Sequence, residues 1–525
     1  MPHRSILTSE ISATCVQALV NLSRSSSKPS LFPDPAHKTE LFRQRYHIVH
    51  QRILRNETFQ APTFSTTRSA TLIRAGSVAA AQANTITPIA NLLGRTGTTH
   101  LLLGILTVSP AGALSLSDLT GTIVLDIQHA RPIPETGAYF APGMIVLVEG
   151  SYEEDSGASS TLGGTGGIGG TIGGKFLGFS VGHPPCERRT ATLGGAEEID
   201  KNATGPAFGW TDFLGVGSQR ATGSRMNKIA SKLLDEETSH NIVIAADLHL
   251  DVPSTLTALR TLLRTHTPDP TATHPVYPLA IIFMGNFSSK ASLAGVPGAG
   301  SIEYKEHFDA LASVLAEFQQ LIAHTTLVFV PGDNDAWPSA FLAGAGTPLP
   351  RKPVPQLFTN RIRRVVAEAN REIWGAGKAK GREGEVIWTS NPSRLSWFGV
   401  KGEMAILRDD LAGRLQRTSI RFNKPEAEVD DDMPFAPSAQ DNDESQDAMD
   451  LDVPSAHGSA RRNQQEELDQ DTQTARSITR TILSQSHLSP FPLSARPLHW
   501  DFAHTLNLYP LPTSLVLALK RLHLW

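Results

Sequence analysis

Four short strings carry the residue types from which a phosphoryl-transfer centre is built. They are Asp247-Leu248-His249, Gly285-Asn286-Phe287-Ser288-Ser289, Gly332-Asp333-Asn334-Asp335 and Ser486-His487-Leu488-Ser489. Carboxylate, imidazole and carboxamide groups of this kind can converge on two divalent ions about 3.5–4 Å apart, where a metal-bound hydroxide attacks phosphorus. A second string, GGTGGIGGTIGG (163–174), mimics a phosphate-binding loop. Gly164, Gly166 and Gly169 satisfy GxGxxG, and Gly169 to Lys175 fits most of a P-loop. Phe176 stands where Ser or Thr must hold magnesium, and neither match joins a strand to a helix, so the string reads as a glycine-rich loop, 157–174, between two strands.

The elements around these strings divide the chain. Residues 1–60 read as a Ser/Pro/Thr-rich tail, with a short helix possible over 11–22, followed by a basic helix, LFRQRYHIVHQRIL (41–54). That helix could touch nucleic acid or pack on its own body. Over 87–187, the runs 100–108, 113–118, 120–127, 143–152 and 175–182 are short and β-rich, separated by Gly, Pro and Asp, which predicts a small five-stranded barrel of oligonucleotide-binding (OB) type. From 240 to 525 the pattern turns to strand–helix–strand: a buried strand at 241–247, a helix at 254–266, a strand at 278–286 and a strand at 326–335. Between the last two, Phe308, Leu311, Leu315, Phe318 and Ile322 mark one apolar helix face. This is a layered α/β arrangement, in which ligands bind beyond the strand carboxyl ends. Those ends carry Asp247, Asn286 and Asp333.

Composition narrows the class. Lys and Arg number 47 against 51 Asp and Glu. Between Glu426 and Asp452 stand 11 acidic residues and no Lys or Arg, leaving 47 − 40 = +7 for everything else. A mildly basic body with one acidic segment suits work near nucleic acid. Residues 424–475 read as a disordered acidic insertion, because they have too little apolar surface to offset ordering. Two cysteines, Cys15 and Cys186, build neither a disulfide framework nor a Cys-based zinc site. No run is long and apolar enough to span a bilayer, and the start of the sequence has no signal-peptide core.

The four metal-type strings resemble the calcineurin-like metallophosphoesterases, whose motifs are D-x-H, GD-x-x-D/R, G-N-H-D/E and GH-x-H. Asp247-Leu248-His249 keeps the first. The resemblance makes Asn286 the counterpart of the bridging Asp, Ser289 that of the acidic or basic partner, Asn334 that of the catalytic His, and leaves His487 as one His of two. An Asn offers a single neutral carbonyl oxygen where the bridge needs a charged, two-oxygen group. Loss of the His at 334 removes the proton donor to the leaving group. The expectation is therefore a degenerate site with no catalytic residue, no metal and no cofactor. Its vestigial positions are Asp247, His249, Asn286, Asp333, Asn334 and His487; Asp247, His249 and His487 would persist as hydrogen-bonded core groups, and Asp333 could supply a carboxylate to a weak single-metal site.

A barrel followed by such a domain resembles the B-subunit family of eukaryotic replicative DNA polymerases. The strings that carry the likeness are LFRQRYHIVHQR (41–52), IVIAADLHLD (242–251), FMGNFSS (283–289), VFVPGDND (328–335), TSNPSRL (389–395) and TILSQSHLSPFPLSARPLHWDFAHTLNLYPLP (481–512). They are most similar to the epsilon branch; the alpha and delta branches are the alternatives. The resemblance implies a non-catalytic accessory subunit in the nucleus that scaffolds the carboxyl-terminal region of the polymerase epsilon catalytic subunit and contributes to DNA binding by the holoenzyme. It also implies a tether to the helicase through the GINS complex. That tether uses a small amino-terminal domain of several helices, which the roughly 40 residues before Leu41 lack, and this puts the contact in doubt. The family continues through further strands where this sequence stops at LVLALKRLHLW (515–525), so a partial gene product is expected. An interface patch is sought at Trp210, Phe213, Trp388 and Trp397, although aromatics of this kind are more often core residues. Two rival readings are a metal-dependent phosphodiesterase or exonuclease, and an autonomous single-strand DNA binder. Over 100–152 the barrel offers only Tyr139, Phe140 and Tyr152 as aromatics and Arg131 as a basic residue, which argues against the last.

Overall fold

The computed structural model describes residues 12–14, 30, 32–60, 84–109, 111–154, 171–193, 241–268, 276–292, 297–335, 344–375, 383–397, 402–423 and 470–519. The segment 11–22 apart from β1, the glycine string up to residue 170, the acidic segment 424–469 and the last six residues lie outside them, as do Trp210 and Phe213 and the side chain of Trp397.

After a three-residue strand β1 (Ser12–Thr14), helix α1 (Ala36–Leu54) opens the folded body. The barrel strands are β2 (Thr99–Val108), β3 (Leu114–Ser117), β4 (Thr122–Asp126), β5 (Arg131–Ile133), β6 (Ile145–Glu153) and β7 (Thr171–Gly182). Pairings β2–β3, β3–β4, β4–β7, β7–β6 and β6–β2 close a ring. Closure removes the unpaired edges that an open sheet would expose. The five expected strands form this ring. The sixth, β5, continues past β4 along the same side of β7; its sequence RPI is too short and too proline-rich to read as a strand. Lys175 lies inside β7 and pairs with Glu153 (3.2 Å), so it does not serve a P-loop.

The alternation visible at Ile123 and Leu125 is the barrel core, shared with Leu102, Leu106, Val146, Val148 and Phe176. This core runs without a break into Leu407, Leu411, Ile482, Phe491 and Leu508 from the carboxyl-terminal half. On the outer wall, α1 buries Val49 and Ile53 against Leu103 and Ile145.

A short helix α2 (Arg189–Leu193) follows the barrel. Next come β8 (Ile242–Ala245), α3 (Pro253–Thr265), β9 (Ala280–Met284), α4 (Ser301–Ala316), α5 (Gln319–Ile322), β10 (Thr326–Val330), α6 (Gln356–Trp374) and β11 (Glu385–Trp388). The four strands form a parallel sheet ordered β11-β10-β9-β8. The two inner strands, AIIFM and TLVFV, are buried at every position, as strands covered on both faces must be. Helices α3, α4 and α6 cover one face. A second sheet covers the other. It contains β1, β12 (Ser393–Trp397), β13 (Gly402–Arg408) and β14 (Ser514–Ala518), ordered β1-β12-β13-β14. Ile282, Met284, Val328 and Val330 meet Leu395, Met404 and Ile406 between the sheets. Helices α7 (Leu411–Thr418) and α8 (Gln470–Gln485) lie between β13 and β14 in the chain and dock toward the barrel. Among the described residues, no helix is long and apolar enough to cross a membrane.

Several expectations are corrected. The strand read as buried at 241–247 lies at the sheet edge, and Ile244 is 40% exposed because, among the described residues, no strand flanks β8 on its outer side. The helix read through Ile322 breaks after Ala316, and Leu321 and Ile322 are buried from the separate turn α5. The acidic insertion does not extend to 475: Gln470 already begins α8. Trp388, a candidate for either patch or core, is a core residue: it stacks on Phe329 at 4.1 Å.

Candidate functional site: a carboxylate–arginine cluster

Strands β8, β9 and β10 run in parallel, so their carboxyl ends bring Asp247, Asn286 and Asp333 to one rim. The Asn286 backbone N–H donates to Asp247 Oδ1 at 3.2 Å. Asn286 Oδ1 accepts from the Asn334 backbone N–H at 3.0 Å. The Asn334 carboxamide donates to the carbonyls of Ser288 and Ser289, both at 3.0 Å. Asp247 sits at φ +54°, a left-handed conformation that Asp tolerates better than most residues. Three of the four strings thus converge, with both carboxamides engaged by backbone.

The carboxylates are engaged by arginines. Arg408, at the end of β13, donates to Asp247 Oδ1 through Nε (2.9 Å) and a terminal nitrogen (2.7 Å). Arg351 donates to Asp333 Oδ1 (2.5 Å) and to the Asp333 carbonyl (2.7 Å). Arg496 bridges Asp333 (3.2 Å) and Asp409 (3.1 Å), and Arg414 completes Asp409 at 3.3 Å. Arg351, Arg408, Arg496 and Asp409 are all at most 2% exposed. Burial pushes Asp409 upward, opposed mainly by Arg496, and lowers Arg351 to about 10. Asp335 is held differently. It accepts from the backbone N–H groups of Phe287 and Gly332 and from the Tyr304 hydroxyl (3.1 Å), and burial raises it to about 6. Burial likewise pushes Tyr304 well above its usual range.

This donor set does not fit a pair of dications. A metal ligand must bring uncompensated negative charge or a free lone pair. Asp247 and Asp333 already hold guanidinium ions, which supply the positive charge directly. Asn286 points its one acceptor oxygen at a backbone N–H. Among the described residues, no group of three or more His, Cys, Asp or Glu could hold a metal. Asp333 and Asp409 each hold two arginines, so loss of one leaves the other in place, whereas Asp247 has Arg408 alone and is part-exposed.

The remaining positions lie differently. His249 is half-buried and, among the described residues, makes no side-chain hydrogen bond. Ser289 bonds Asp251 through both its hydroxyl and its backbone N–H. His487 is buried apart from the rim. It accepts from the Ser489 backbone N–H at 3.1 Å, and burial together with nearby Arg45 holds its imidazole well below its usual range.

Sequence reasoning missed Arg351, Arg408, Asp409 and Arg496. One signal was available: Arg408-Asp409 directly ends the apolar run Met404–Leu407, so charge stands where a buried strand stops. Arg351 and Arg496 sit in proline-flanked loops, RKP and ARP, that carry no periodicity.

A second set of arginines joins α1 to the rest. Arg45 donates to the Gly143 carbonyl (2.9 Å). Arg52 donates to the Ser484 carbonyl (2.5 Å) and to the Ser486 hydroxyl. The Gln485 carboxamide accepts from the Ile145 N–H (2.8 Å) and donates to its carbonyl (2.7 Å), an extra rung on β6. Both arginines are buried, so these two cations of the basic helix face inward.

Comparison with known proteins agrees with this architecture. Residues 35–185 match the OB-fold domain described as DNA polymerase epsilon subunit 2-like, and residues 242–522 match the B-subunit family of DNA polymerases alpha and epsilon. The DNA polymerase epsilon B subunit of Saccharomyces cerevisiae is 33% identical over 502 residues, covering 93% of this chain and 63% of that protein. Its counterpart in Schizosaccharomyces pombe is 31% identical over 489 residues, covering 93% and 64%. DNA polymerase epsilon subunit 2 of Mus musculus is 27% identical over 493 residues, covering 94% and 70%. The chain spans a little under two thirds of the length of the yeast relatives. The closed barrel lies within the region matched as an OB fold, the parallel sheet and, apart from β1, its covering layers lie within the second matched region, and barrel and sheet follow in the same order as the two matches: the chain belongs to the B-subunit family of DNA polymerase epsilon.

Proposed function

We propose that this chain is a non-catalytic accessory subunit of DNA polymerase epsilon, acting in the nucleus as a rigid scaffold for the carboxyl-terminal region of the catalytic subunit. The carboxyl-terminal half, 240–525, is read as a calcineurin-like phosphoesterase sandwich whose site is degenerate at Asp247, His249, Asn286, Asp333, Asn334 and His487. The amino-terminal part comprises the tail and basic helix (1–60) and the OB-type barrel (87–187). The observation that carries this reading is the pairing of Asp247 with Arg408 and of Asp333 with Arg351 and Arg496. A fixed guanidinium balances the carboxylates as a metal would, but it cannot generate a nucleophilic hydroxide. What remains is a stiff body whose two modules share one core, suited to a large permanent interface of more than about 2,000 Å².

DNA contact belongs to the holoenzyme and not to the barrel alone. The strand pair that reads nucleic acid in OB folds corresponds to β3 and β4, LSLS and TIVLD, which offer no aromatic or basic side chain. A link to the helicase assembly through GINS is the further partner implied for the family.

The test is co-expression with the carboxyl-terminal region of the catalytic subunit, followed by purification and a hydrolysis assay with manganese. A stoichiometric complex without turnover is expected. Isolation of the chain alone, with manganese-dependent hydrolysis abolished by Asp247→Ala, would replace this reading with that of an enzyme.

A further inference from the structure

Helix α6 closes the covered face of the parallel sheet at its β10–β11 side. Phe358, Ile362, Val366 and Ala369 are buried. The opposite face carries Arg361, Arg363, Arg364 and Arg371, all exposed, against Glu368 and Glu372. Among the described residues none of the four arginines forms an ion pair; Arg361 donates only to the Asp309 carbonyl, at 3.1 Å. This contrasts with the arginines of the rim and with Arg45 and Arg52 of α1, which are buried and held by carboxylates, carbonyls and a serine. Arg364 and Arg371 stand seven residues and about 10 Å apart on one line of the helix with Glu368 between them in the chain, while Arg361 and Arg363 project about 160° from each other to its two sides. The face holds no exposed aromatic ring on which bases could stack.

We propose that this face of α6 is a track for the phosphate backbone of duplex DNA. The inference rests on the reading of the chain as part of a DNA polymerase and adds the surface that would meet the duplex. Arg364 and Arg371 lie along one line that can follow a strand of phosphates, and the long side chains of Arg361 and Arg363 reach to either side of it. With no stacking ring on the face, and only flexible arginines pointing outward, contact is to the backbone and independent of sequence. Binding follows counterion release, so each phosphate contact adds about 0.9 to the slope of log affinity against log salt.

The experiment uses the full chain and a fluorescently labelled 30-base-pair duplex, titrated at several salt concentrations. The chain in which Arg361, Arg363, Arg364 and Arg371 are all replaced by Ala is compared with the natural sequence. The replaced positions are exposed, so an unchanged melting temperature verifies folding. Affinity at low salt should fall at least tenfold, and the salt slope should shrink by roughly 3–4. The same loss for two duplexes of unrelated sequence is expected. An unchanged slope, or no binding by the natural chain at low salt, overturns the proposal. So does binding of a peptide spanning 426–452 to this face in place of DNA, which would make the partner an acidic polypeptide. Capture of the catalytic-subunit region by the four-Ala chain separates the two readings: a failure of capture by the natural chain strikes the scaffold reading alone.

Discussion

Two sets of buried arginines hold this molecule together, and they do so by different means. At the sheet rim, Arg351, Arg408 and Arg496 pair with carboxylates. At the junction between barrel, α1 and α8, Arg45 and Arg52 meet backbone carbonyls and a serine, with Gln485 completing β6. The rim is a balance of opposite charges left where acidic residues remain at strand ends. The junction satisfies neutral polar groups where two modules share a core. Removing a cation therefore has different consequences. At the rim it takes charge-assisted contacts from a carboxylate; at the junction it leaves a neutral carbonyl short of a donor, which costs less.

Predictions follow from that difference, the largest first. Arg496→Leu should destabilise the chain by about 3–6 kcal/mol, since Asp333 and Asp409 each lose a charge-assisted contact of about 1.5–3 kcal/mol while keeping Arg351 and Arg414. Denaturant midpoints would measure it, and the double change Arg496→Leu with Asp409→Asn should recover part of the loss. Gln485→Leu at the junction should cost about 1–3 kcal/mol, because the N–H and carbonyl of Ile145 are left unpaired. A loss as large as that of Arg496→Leu would erase the distinction between the regions.

pH should separate the two regions by sign. His183 at the junction stacks on Phe140 and contacts Gln485, and burial holds it down to about 4. Its folded pKa lies below its unfolded value of 6.5, so the stability it contributes is present above 6.5 and is lost as pH falls toward 4; buried His487 acts in the same direction. Asp335 beside the rim is raised from 3.8 to about 6, so its contribution is present below 3.8 and is lost as pH rises through 6. Hydrogen exchange between about pH 7 and about pH 4.5 should show the junction loosening on acidification while amides near Asp335 tighten. Loosening of both together would contradict the assignment. The smallest effect is expected at the exposed pair Arg260–Glu317, where Glu317→Gln should change stability by less than about 1 kcal/mol.

The sequence made the strands and the rim readable because their signals are local. Apolar runs AIIFM and TLVFV announce covered strands, and a parallel sheet must bring Asp247, Asn286 and Asp333 to one end. The charge partners were not readable. Arg408 lies 161 residues from Asp247, and Arg496 lies 163 from Asp333. No spacing rule links residues joined only by tertiary packing. His487 shows the converse, since its place in the SHLS string gave no warning that Arg45 from α1 would act on it. The break between α4 and α5 went unseen because an apolar face can continue through a turn.

Arginines hold the carboxylates at the strand ends of the rim, and the proposed lack of a metal centre there rests on that pairing. Isothermal titration of the chain with manganese, coupled to an assay of phosphodiester hydrolysis, tests this most directly. No saturable binding at the rim and no turnover are predicted, for the natural chain and for Asp247→Ala alike. Two manganese ions bound per chain, with hydrolysis lost in Asp247→Ala, would contradict it.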